Sequence, residues 1–87
     1  MIFVSLYKFR RKPTKADIDK ATRLFKQWEK EGVKSLGVWW TLGRYDAVRV
    51  FQARNEKQAM KVNLQLEAAG SETLVAVKRE EAVKLLW

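Results

Sequence analysis

The sequence predicts a single α+β domain, and three observations predict it. Four β-branched or aromatic runs alternate with two long amphipathic segments in the order strand, helix, strand, strand, helix, strand. The chain is 87 residues long, which makes one domain over residues 1–87 and leaves no room for a second. Apolar residues make up 47 %, ordinary for a folded chain and too many for a disordered one.

Ile2 to Phe9 contains no breaker and reads as the first strand. One alternate set is Ile2, Val4 and Leu6; the other is Phe3, Ser5, Tyr7 and Phe9. Pro13 ends the strand after the basic turn Arg10-Arg11-Lys12, because proline cannot donate to a ladder. Thr14 opens a helix. Thr14 and Asp17 resemble a capping box, and Asp17 also suits the positive end of the helix dipole. Ile18, Ala21, Phe25 and Trp28 recur at helical spacing with Leu24 beside them, which makes one apolar stripe. Gly32 is the expected C-terminal cap. Ser35 to Leu42 reads as the second strand, with Trp39 and Trp40 pointing to opposite faces. Gly43-Arg44 reads as a tight hairpin turn, and Tyr45 to Gln52 as a third strand antiparallel to the second. Asn55 caps a second helix running to about Ala69, with Ala59, Val62, Leu66 and Ala69 on one face and Gly70 ending it. Glu72 to Val77 reads as the fourth strand, and Lys78 to Trp87 as a short amphipathic tail helix.

That order is the split βαβ pattern of ferredoxin-like folds. Right-handed crossovers put both helices on one face of a four-stranded antiparallel sheet and leave the other face open. We expect Ile2, Val4, Leu6, Val38, Trp40, Val48 and Val50 under the helices. The open face then carries Phe3, Ser5, Tyr7, Trp39, Thr41, Ala47, Arg49 and Phe51. A monomer rarely leaves such an aromatic patch in water. Pairing with a second copy through Phe3, Trp39 and Phe51 is therefore expected, giving a homodimer or higher oligomer.

Composition excludes several chemistries. The chain has no His and no Cys. That removes the usual zinc site, the Ser-His-Asp and Cys-His nucleophiles, His-held haem and iron–sulfur clusters. It also removes a disulfide-stapled secreted fold. Paired acids such as Asp17/Asp19 and Glu80/Glu81 sit at spacings that do not face each other on a helix, so no metal and no cofactor is expected. The apolar start of the chain precedes its charges, the reverse of a signal peptide. The longest stretch without a charge, Ser35 to Gly43, is nine residues, far short of the roughly 20 a membrane helix needs. A cytoplasmic protein with no membrane partner is the expectation.

The segment Thr41-Leu42-Gly43-Arg44-Tyr45-Asp46 resembles the signature of the GYD-domain family, small prokaryotic proteins of about this length. The family's Gly, Tyr and Asp match Gly43, Tyr45 and Asp46. The opening strand, Glu72-Thr73-Leu74 and the charged tail also fit, so the resemblance spans nearly the whole chain. It implies the dimeric α+β barrel, in which two open sheet faces pack together. It implies no settled activity.

Arg49 is the odd residue, a charge in mid-strand among apolar neighbours. Its guanidinium either snorkels to the rim or an interface, or binds an anion in a cavity lined by Tyr7, Trp39 and Thr41, where its planar fork suits carboxylate or phosphate. Tyr45 and Asp46 carry a similar ambiguity. Gly43 can supply a positive φ while Tyr45 packs and Asp46 accepts backbone N–H bonds. Alternatively both face a pocket between sheet and helices. The candidate ligand-binding set is thus Tyr7, Trp39, Tyr45, Asp46 and Arg49. No catalytic residue is assigned.

The net charge is +8, and residues 1–30 alone hold nine basic and three acidic side chains. Such a surface attracts polyanions. However, the third strand lacks the RNP1-type aromatic pattern of RNA-recognition sheets. A small-ligand-binding or sensing module, with anions among its candidate ligands, is therefore favoured. A basic nucleic-acid-binding protein, or an enzyme acting in the sheet cleft without metal, is the alternative.

Overall fold

In the computed structural model, which describes residues 1–66 and 69–86, four strands form one antiparallel sheet in the order β2-β3-β1-β4. The elements are β1 (Ile2–Phe9), α1 (Lys15–Lys30), β2 (Lys34–Trp40), β3 (Ala47–Gln52), α2 (Glu56–Gln65), β4 (Ala69–Ala76), α3 (Arg79–Val83) and a closing 3₁₀ turn (Lys84–Leu86). This is the expected βαββαβ, ferredoxin-like arrangement. Among the described residues no helix is long and apolar enough to cross a membrane.

Local chemistry sets the helix ends. The Thr14 hydroxyl accepts from the Asp17 N–H while the Asp17 carboxylate accepts from the Thr14 N–H, a complete capping box. The carboxylate also takes Arg11 at 2.8 Å. The Thr14 N–H bond, then Arg11, hold the Asp17 pKa below its ordinary value. At its other end α1 stops at Gly32, whose φ is +91°. Gly32 N–H donates to Glu29 O and Val33 N–H to Trp28 O, the Schellman pairing that left-handed glycine permits. That turn delivers Val33 into the core.

The sheet faces depart from the sequence expectation. Phe3, Ser5, Tyr7, Ala47, Arg49 and Phe51 are buried. Phe3 and Phe51 stack with ring centroids 5.5 Å apart and join Trp28 of α1 and Ala59 and Val62 of α2 in one cluster. The aromatic set therefore lies under the helices. Ile2, Val4, Leu6, Val48 and Val50 lie on the open face. The reason is volume. The second helix brings only Ala59 and Val62 as buried apolar side chains, and large rings from the sheet fill the gap. Ser5 is accommodated because its hydroxyl meets Thr73 Oγ1 at 2.8 Å and donates to Asn63 Oδ1 at 3.4 Å. Phe3 and Phe51 thus cannot form an oligomer interface.

In β2 the expectation holds. Val38 pairs with Arg49 and Trp40 with Ala47, on the helix side, while Trp39 pairs with Val48 on the open face. A bulge between Ser35 and Gly37 sets this phase. The ring of Trp39 lies over Gly37, where any Cβ would collide with it.

Three boundaries also move. The β2–β3 connection is the longer segment 41–46, not a two-residue turn. The second helix ends at Gln65, and Gly70 pairs with Lys8 inside β4, so the fourth strand starts at Ala69 rather than Glu72. The tail is one short α-turn followed by the 3₁₀ turn, and Trp87 lies outside the described residues.

Candidate functional site

Between α1 and the sheet lies a cavity of about 500 Å³. Ligand sites span roughly 300–1,000 Å³. The sheet contributes Tyr7 and Phe9 from β1, Val38 and Trp40 from β2, and Ala47 and Arg49 from β3. The helix covers it with Ile18, Ala21, Leu24 and Phe25, the stripe read from its periodicity. Arg10, Arg11, Asp17 and Lys20 also line it, and the Arg11–Asp17 ion pair ties the β1–α1 turn to the start of the helix.

Arg49 is the feature that sets the site apart. It is only 1 % exposed. Its guanidinium carbon lies 4.5 Å from the ring centroid of Phe51, 4.9 Å from Trp28 and 5.0 Å from Phe25. These rings attract the cation through their electron-rich faces. They offer no oxygen to its N–H groups. Among the described residues Nε, Nη1 and Nη2 have no hydrogen-bond partner, and neither does the hydroxyl of Tyr7. Burial pulls the guanidinium pKa down from its ordinary value, and the nearby Tyr7 hydroxyl offsets part of this. Antiparallel pairing accounts for their proximity. Ser5 is opposite Arg49 and Tyr7 opposite Ala47, so Tyr7 and Arg49 are diagonal neighbours on one face.

The other sequence candidates lie elsewhere. Trp39 is on the opposite face of the sheet and lines no part of this cavity. Tyr45 spans β1 to reach β4, where its hydroxyl donates to Glu72 Oε2 at 2.7 Å. That bond, the largest cause, raises the Tyr45 pKa above its ordinary value. Asp46 Oδ2 accepts from the Phe9 N–H at 2.7 Å, and the Asp46 N–H donates to Tyr7 O at 2.8 Å. Gly43 adopts φ +105°, and the Thr41 hydroxyl donates to Tyr45 O at 2.7 Å. The Gly43-Arg44-Tyr45-Asp46 segment thus clamps the end of β1 and the face of the sheet.

The set brought together is therefore Tyr7 and Arg49. Phe25 and Trp28 are the residues that sequence reasoning missed around Arg49. Their three-residue spacing on the α1 stripe was a usable signal, since it places two rings side by side over whichever sheet face the helix covers. Among the described residues no group of His, Cys, Asp or Glu converges as a metal site.

The crystal structure of PH0061 is similar over 91 % of this chain, with a TM-score of 0.59 and 17 % identity; the chain spans only 54 % of that one. The crystal structure of TTHA0845 from Thermus thermophilus is similar over 88 % of this chain and 92 % of its own, with a TM-score of 0.54 and 18 % identity. At these identities the likeness is one of fold. No curated protein matches the chain. The model of the GYD domain matches residues 3–86, and the chain belongs to the GYD-domain family.

Proposed function

We propose that the protein is a small-ligand-binding or sensing module that takes an organic anion into the cavity between α1 and the sheet. One observation carries this reading: a buried cation with no hydrogen-bond acceptor among the described residues forms part of the cavity wall. An unpaired buried charge costs several kcal/mol after relaxation, and cation–π contact returns about 2 kcal/mol or more when desolvated. An anion that supplies oxygens to the guanidinium offsets that cost, so binding is coupled to relief of an unmet demand.

Binding is favoured over turnover because, among the described residues, no free base stands beside Tyr7 and Arg49. Asp17, the acid in the cavity wall, is engaged by Arg11 and Thr14. Asp46 is engaged by the Phe9 N–H. Burial of Phe3, Tyr7 and Phe51, which then cannot stack bases, weighs against the RNA-sheet alternative. The domain works as a homodimer in this reading, each copy covering the other's open face. On that face Val50, Val4 and Leu74 form a cross-strand row beside Trp39, Val48 and Leu6. Such an apolar surface suits a second identical sheet.

A thermal-shift panel of organic carboxylates, phosphates and sulfonates tests the ligand reading. At least one class is expected to raise the unfolding midpoint of the wild type and to leave Arg49→Met unchanged. The effect should persist at about 200 mM salt, unlike polyanion binding at surface lysines. A panel without any Arg49-dependent shift contradicts the reading.

A further inference from the structure

Resting on that reading, we infer that the ligand is an amphipathic monocarboxylate, its carboxylate held by Arg49 and Tyr7 and its apolar body lying along Phe9, Ile18, Phe25 and Trp40.

Charge comes first. The inner end of the cavity holds one cation, Arg49, and one neutral donor, the Tyr7 hydroxyl. A single negative charge balances the cation. A dianion there leaves a net buried charge, which low-dielectric surroundings penalise. Among the described residues the remaining charged groups of the wall are Arg10, Arg11, Asp17 and Lys20, of which Arg10 and Lys20 are exposed to solvent. Arg11 and Asp17 satisfy each other, and both reach solvent.

Shape comes second. Three rings crowd the guanidinium carbon, so its need is for an acceptor meeting the N–H groups in their own plane. A carboxylate is planar and matches that fork with two parallel hydrogen bonds. The hydroxyl of Tyr7 is then a further donor for the same oxygens.

The apolar wall comes third. Phe25 and Val38 stand beside Arg49, and Ile18, Phe9 and Trp40 complete the apolar lining. Ile18 is 45 % and Trp40 63 % exposed. A hydrocarbon or aryl body covering them removes apolar surface from water, so affinity should rise roughly fourfold per added methylene.

Calorimetric titration of the full chain with butanoate, octanoate, octanamide and octyl phosphate tests this. Octanoate should bind roughly tenfold or more tightly than octanamide, the cost of leaving Arg49 without its charged partner. It should also exceed octyl phosphate by a clear margin, and butanoate by on the order of a hundredfold. Arg49→Met should erase the octanoate preference over octanamide, and Tyr7→Phe should reduce it; the second variant decides if the first does not fold. Tighter binding of octyl phosphate, with loss in Arg49→Met, overturns the carboxylate inference and leaves the anion reading standing. Equal binding of octanoate, octanamide and octyl phosphate overturns both. No heat with any of the four overturns the inference, while the broader panel decides the anion reading separately.

Discussion

Tyr45 and Arg49 lie four residues apart and do opposite kinds of work. Tyr45 finds its partner inside the chain, the carboxylate of Glu72. That bond favours the protonated phenol, so the folded-state pKa is raised above the unfolded one. The contact therefore contributes stability below an unfolded value of about 10 and loses it as pH rises through the raised value. Ultraviolet titration should show Tyr45 ionising above an ordinary tyrosine, and Glu72→Ala should bring it back down. An unchanged titration curve in Glu72→Ala would show that the bond does not form in solution. Arg49 was conspicuous in the sequence as a mid-strand charge. Its destination was not, because alternation assigns residues to two sets without saying which set meets the helices. Asp46 was legible as an acceptor of backbone N–H groups, although its donor is Phe9 in β1 rather than the turn itself.

The elements themselves were mostly legible, since caps and breakers act locally. Thr14, Asp17 and Gly32 bound the first helix through hydrogen bonds that depend only on neighbours in sequence. Asn55 caps the second helix by accepting from Gln58 N–H in the same way. Features that depend on distant residues were not legible. The bulge at Ser35–Gly37 is a matter of pairing with β3, and the start of β4 at Ala69 is set by pairing with Phe9. The inversion of the β1 and β3 faces has the same origin. Both alternate sets carry large apolar side chains, and the choice is made by the space under Trp28, Ala59 and Val62 rather than by either strand. The cavity follows from that choice, because the set carrying Tyr7 and Arg49 is the one α1 covers.

At the scale of the molecule, the open face carries the aliphatic side chains of Val4, Leu6, Val48, Val50 and Leu74 beside Trp39, which is 55 % exposed, and the Tyr45–Glu72 pair lies at its β4 side. Sedimentation at micromolar concentration should find a dimer, and Trp39→Glu should dissociate it while leaving the circular dichroism of the fold intact. A wild-type monomer at that concentration would contradict the pairing. Phe51 gives the contrasting result. It is fully buried, so Phe51→Ala should unfold the domain at the cost of a large core truncation, about 3–5 kcal/mol, rather than separate two copies.

In this reading Arg49 is kept for a ligand at the expense of stability. Equilibrium unfolding of the ligand-free wild type and of Arg49→Met tests it most directly. Methionine keeps much of the volume and a favourable sulfur–aromatic contact with Phe25, Trp28 and Phe51, while removing an unpaired buried charge. Arg49→Met should be as stable as the wild type or more stable by about 1–4 kcal/mol. A loss of about 3 kcal/mol or more, the size expected when a structural buried interaction is broken, would make Arg49 a strut of the core and contradict the claim.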